Sequence, residues 1–197
     1  MLYNTRAVLA ALTVLAMTGC AAKGGWMGAE AEKNYDKELD AKRLAGILNN
    51  SDYYEFTKDG RIFVVANPKD YQVYLRAGEI PLRVTKFGAG PKGETVIYAL
   101  TKNESKAMEK IVGYQGGAQK MYEGKLEGIA VGFFGLVIKD DTDYVFSKWS
   151  DLQAFKASGS ATGYSEPGPD GHTVIYVNAA QRPADLADRL KRLYTLS

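Results

Sequence analysis

The chain repeats itself. Shifting it by 81 positions places Lys58, Asp59, Val64, Asp70, Gln72 and Gly78 on Lys139, Asp140, Val145, Asp151, Gln153 and Gly159. A shift of 78 places Gly90, Pro91, Gly93, Thr95, Val96, Ile97 and Tyr98 on Gly168, Pro169, Gly171, Thr173, Val174, Ile175 and Tyr176. An internal repeat restricts the fold to one supersecondary unit used twice, each copy finding a neighbour for its apolar surface. The change of offset falls after Gly78 and Gly159, where a loop or strand shortens.

Each copy makes the same local sense. An alternating stretch, Tyr54 to Thr57 or Phe134 to Ile138, meets a turn at Asp59-Gly60 or Asp140-Asp141. A second strand follows, Arg61 to Ala66 or Asp143 to Phe146, which predicts a hairpin. Asn67 and Ser147 stand where an N-cap accepts orphan amide hydrogens, with Pro68 at the first helical position of the first copy. Gly78 and Gly159 end the short helices, because glycine enters the left-handed conformation at no steric cost. Two strands flank a Gly-Pro-x-Gly turn, and a helix closes each unit: Glu104 to about Tyr114, then Pro183 to Tyr194. The prediction is an α+β protein of two tandem ββαββα repeats, over 51–125 and 126–197, with a mainly antiparallel sheet and helices packed on it. Ahead of them, the Ala-, Lys-, Glu- and Leu-rich stretch 30–50 predicts an amphipathic helix.

At the N-terminus, Arg6 precedes an uncharged apolar run from Ala7 to Met17, and no Asp or Glu occurs before Glu30. This order reads as a secretory signal, since about 18 apolar residues are needed to span a bilayer. Met17-Thr18-Gly19-Cys20 closes the run. These four residues resemble the lipobox of bacterial lipoproteins, with Met17 where that family usually carries Leu. The resemblance implies that residues 1–19 are removed and that Cys20 is thioether-linked to diacylglycerol, so that two or three acyl chains hold the protein on a membrane. Ala21 stands where inner-membrane retention uses Asp, which implies the outer membrane, with the domain facing the periplasm. The glycine-rich stretch 20–29 then serves as a flexible tether.

Lipidation would consume the only cysteine, so stability must come from a packed core. Removing residues 1–19 deletes one cation and leaves 25 − 1 = 24 Lys and Arg against 23 Asp and Glu, which argues against a nucleic-acid footprint. Fragments that imitate functional motifs have plainer readings. Gly88-Ala89-Gly90-Pro91-Lys92-Gly93 has dinucleotide-loop spacing, but a β-branched run follows it where a phosphate cradle needs a helix N-terminus. Asp140, Asp141 and Asp143 lack the glycine and distal glutamate of a calcium loop and read as an exposed turn. His172 is the sole histidine, which removes multi-histidine zinc sets and places it at a strand end on the surface. Tyr71, Tyr74, Tyr98 and Tyr176 fall on core positions of the repeat, leaving Tyr53, Tyr114, Tyr122 and Tyr164 to line a groove.

The copies differ in charge. Between Tyr54 and Ala99 seven cations meet five acids; between Phe134 and Val177 three meet six. Such a step steers an oppositely charged partner. The candidate interaction residues are therefore Arg76, Arg83 and Lys86, with Tyr164 and His172. No catalytic set, metal set or cofactor is expected. The functional expectation is a lipid-anchored cell-envelope protein, attached through acylated Cys20, that acts as a non-catalytic accessory or scaffold module for another envelope protein. Two alternatives stay open: a binding module for a small ligand or cell-wall fragment in the groove between repeats, and a His172-dependent hydrolase.

Overall fold

The computed structural model of the chain describes Arg43 and residues 46–195. The signal segment, Cys20, the tether and most of the helix expected over 30–50 lie outside these residues; 47–50 carry no regular structure, so that helix does not reach position 50. The elements are β1 (Asp52–Lys58), β2 (Arg61–Val65), α1 (Pro68–Ala77), β3 (Arg83–Lys86), β4 (Thr95–Ala99), α2 (Lys102–Lys110) and α3 (Gly117–Tyr122). They continue as β5 (Phe134–Lys139), β6 (Thr142–Phe146), α4 (Trp149–Ser158), β7 (Gly163–Pro167), β8 (Thr173–Val177) and α5 (Ala184–Thr195). Among the described residues no helix is long and apolar enough to cross a membrane.

The fold is α+β, with all eight strands in one sheet ordered β3-β4-β2-β1-β5-β6-β8-β7. Four pairings are antiparallel and three are parallel. Both hairpins close through two residues with positive φ, Asp59 (52°) and Gly60 (71°), then Asp140 (51°) and Asp141 (54°). That is the type I′ geometry, whose twist matches the flanking strands. The order reads the same outward from the β1–β5 seam in either direction, as two copies joined side by side would give.

The seam decides how the copies face. Tyr54 pairs with Leu136, a separation of 136 − 54 = 82, one more than the repeat offset of 81. Paired residues of neighbouring strands point to the same face and successive residues to opposite faces. A residue and its counterpart 81 positions on must then point oppositely. They do: Phe56, Tyr71 and Tyr74 pack in one core, while Val137, Leu152 and Phe155 pack in the other. Tyr98 and Tyr176 are exchanged in the same way. On the first face α1 and α5 cover the strands with Tyr71, Leu190 and Leu193; on the second α3 and α4 do so with Met121, Leu152 and Phe155. Each copy thus carries one sheet-covering helix per face, the arrangement a two-fold axis along the seam produces.

Several local expectations are corrected. The closing helix of the first copy is two helices: α2 ends at Lys110, and α3 supplies the core residues Ala118 and Met121. Between them Gly113 takes a positive φ of 75°, and Glu104 ties both helix starts to one carboxylate: its Oε2 accepts from the Thr101 backbone N–H (2.8 Å) and its Oε1 from the Gly117 N–H (2.6 Å). Asn67 caps α1 as expected, its side chain accepting from the Lys69 N–H. In the second copy Lys148 takes the N-cap position without a side-chain bond, and Ser147 lies outside the helix. Gly78 and Gly159 both end their helices in the left-handed region, at φ 70° and 75°. Tyr53 does not line a groove; it is fully buried.

Candidate functional site

The first candidate is a cavity of about 600 Å³ beside the β3 edge, on the first face. Alternation along the strands builds it: Phe63 of β2 and Ile97 of β4 form an apolar floor next to buried Ile80. Arg61, Thr95, Arg83 and Thr85 share that side of their strands. The turn that follows α1 brings Glu79, and the β1–β2 turn brings Lys58 and Asp59. Arg83 is held by a bond from its Nη1 to the Ile80 carbonyl (2.6 Å), which fixes the guanidinium at the rim. Phe87, 86 % exposed, stands at the mouth. Among the described residues β3 has β4 as its only neighbour in the sheet, so with respect to those residues its outer backbone groups lie along an open edge. Three cations against two acids surround an apolar floor.

The second copy does not reproduce this lining. Arg61 and Phe63 correspond to Thr142 and Tyr144, and Arg83, paired with Ala99, corresponds to Gly163, paired with Val177. Lys58 is kept as Lys139, whereas Arg61 and Arg83 are not, so the fold does not require those two arginines, which account for part of the charge step between the copies.

The second candidate lies at the β6–β8 turn end. The Asp143 side chain has no exposed surface; its Oδ1 is 2.9 Å from His172 Nδ1, and its Oδ2 accepts from the Tyr194 hydroxyl at 3.1 Å. Asp170 Oδ2 is 3.2 Å from the same ring nitrogen, and Asp141 Oδ1 is 3.9 Å from Nε2. The hydrogen bond to Asp143 holds the His172 imidazolium above its ordinary pKa, against partial burial and with the charges of Asp170, Asp143 and Asp141 adding. Burial pushes the Asp143 carboxyl upward, while the bonds from His172 and Tyr194 oppose this. Asp143 is therefore not part of an exposed turn, and His172 does more than end a strand. His172 Nδ1 faces the carboxylates of Asp143 and Asp170, while Asp141 lies beyond hydrogen-bond distance of Nε2; among the described residues no serine hydroxyl bonds the ring.

The predicted interaction residues do not form one surface. Arg76 is exposed in the last turn of α1 and Arg83 lines the cavity. Lys86 lies on the opposite face, where its Nζ bonds Glu123 Oε1 at 3.0 Å. Tyr164 sits in β7 at the far edge, half-buried beside Tyr176. His172 lies in the second copy, at the carboxylate cluster. The sequence reading missed Lys58, Arg61 and Phe87 at the groove and Asp170 at the cluster. The available signal was period-2 alternation, which puts Arg61 and Phe63 on one side of β2. Gly88 to Gly93 forms the expected tight turn, with the Gly93 N–H donating to the Gly90 carbonyl (3.0 Å) and strand β4 following. No protein-family model, curated protein or solved structure matches this chain.

Proposed function

We propose that this protein is a lipid-anchored component of the cell envelope, attached through acylated Cys20, whose duplicated domain docks another envelope protein without performing chemistry. The observation that carries the docking reading is the one-sided groove: Lys58, Arg61 and Arg83 around the apolar floor of Phe63, Ile80 and Ile97, with exposed Phe87 at its mouth and an open strand edge beside it. An extended acidic segment with one apolar anchor fits those features. Its backbone adds to β3, its anchor fills the floor, and its carboxylates meet the cations. Orientation toward the periplasm from the outer membrane is part of the same proposal and rests on Ala21 after Cys20.

Within this proposal His172 is a structural residue, its Nδ1 held against Asp143 and Asp170. Two measurements test the proposal. Mass spectrometry of the N-terminal peptide is expected to find a diacylated Cys20, and Cys20→Ala to release the protein from the membrane fraction; an unmodified, freely soluble chain overturns the address. Crosslinking in intact cells is expected to recover a stoichiometric protein neighbour. A ligand-dependent thermal shift without such a neighbour overturns docking in favour of small-ligand binding.

A further inference from the structure

We propose that Asp143 Oδ1, Asp170 Oδ2 and His172 Nδ1 form a binding site for a divalent first-row transition ion of the zinc class. The site is independent of the groove and goes beyond the docking reading. Its geometry is that of a ligand set: the imidazole nitrogen is 2.9 Å and 3.2 Å from the two carboxylate oxygens, and all three atoms lie within 4.8 Å of one another. Bonds of about 2.0–2.2 Å from one ion to neighbouring ligands put those ligands roughly 2.8–3.6 Å apart in octahedral or tetrahedral geometry. A small outward adjustment accommodates the ion.

Comparison of the two copies supplies an independent reason. Asp143 corresponds to Ile62, which packs in an apolar core. Asp170 and His172 correspond to Lys92 and Glu94. The shared fold therefore requires neither a buried carboxylate nor the imidazole, and burying a carboxylate is costly unless a cation compensates it. His172 compensates incompletely. Nδ1 carries at most one proton, which cannot make two good hydrogen bonds to Asp143 and Asp170 at once. With Asp141 nearby, three carboxylates face one imidazolium. A dication at the same point contacts both carboxylates directly.

The surroundings hold the ligands in place. The Tyr194 hydroxyl donates to Asp143 Oδ2 (3.1 Å), and the His172 backbone N–H donates to Asp170 Oδ1 (3.2 Å), which leaves the other oxygen of each carboxylate for the ion. The His172 side chain is 28 % exposed, so the solvent side remains available for water ligands. One imidazole with two carboxylates suits zinc or its neighbours, whereas calcium requires six to eight oxygens. The ion would join the β7–β8 turn to β6 and, through Tyr194, to α5.

The test uses the full-length protein in detergent, stripped with chelator and titrated with ZnCl₂ by calorimetry while its melting temperature is followed. Saturable binding of one ion per chain with a raised melting temperature is expected. Asp170→Asn and His172→Gln are each expected to weaken binding at least about tenfold, as is the orienting change Tyr194→Phe. Asp170→Asn removes no fully buried charge and keeps the test open if the histidine variant fails to fold. The absence of saturable binding below millimolar zinc, or affinity unchanged in Asp170→Asn, overturns the site.

Discussion

Val64 and Val145 occupy corresponding places in β2 and β6, 81 positions apart, yet they are buried on opposite faces of the same sheet. The cause is the parallel seam, whose register of 82 differs from the repeat offset by one residue. Each copy is turned over relative to the other, so two equivalent side chains never share a core.

Independence of the two cores follows. Val64→Ala and Val145→Ala are each expected to cost about 2 kcal/mol, from two lost methyl groups and the space they leave. Because the sites share no packing partners, the double variant should equal the sum within about 0.5 kcal/mol. Denaturant unfolding of the four proteins measures this; strong coupling would contradict separate cores.

Glu104 is 3 % exposed and serves two helix starts. Glu104→Ala leaves the Thr101 and Gly117 amides without their acceptor and is expected to destabilise by about 2–4 kcal/mol. Thr101→Ala, which removes one cap, should cost about 1 kcal/mol. Equal losses in chemical denaturation would contradict the double role.

Glu123 provides a pH signature. Burial raises its pKa, but the hydrogen bonds from Lys125, Gln119 and Lys86 outweigh this and bring it down from 4.5 to about 2. A lowered carboxylate pKa contributes stability above the unfolded value, and that contribution disappears as pH falls from about 4.5 toward 2. For this partly exposed group the contribution is on the order of 1–2 kcal/mol. Glu123→Gln should flatten stability across that acid window and leave its slope between pH 6 and 8 unchanged. Thermal melts at a series of pH values test it.

Local chemistry was legible in the sequence and tertiary placement was not. The turns at Asp59-Gly60 and Asp140-Asp141, the glycine ends at Gly78 and Gly159 and the Asn67 cap depend on neighbours in the chain, so residue type announced them. The pattern Thr101-x-x-Glu104 also marked a helix start, and the expected start at Glu104 overlooked it. The opposed faces of the copies depend on strand register across the seam, which no local pattern encodes. Arg83 and Lys86, three positions apart, are both candidate interaction residues in the sequence, although period-2 alternation, a local pattern, puts them on opposite faces. Asp143 was read with its turn neighbours because its burial comes from Tyr194 and His172, distant in sequence.

The most direct test of the docking claim is a photo-crosslinking residue in place of Phe87, activated in intact cells, with and without Arg61→Glu and Arg83→Glu. The account predicts one dominant protein adduct, strongly reduced by the two charge reversals while the melting temperature is preserved. An adduct of undiminished intensity in the charge-reversed protein, or no protein adduct at position 87, would contradict it.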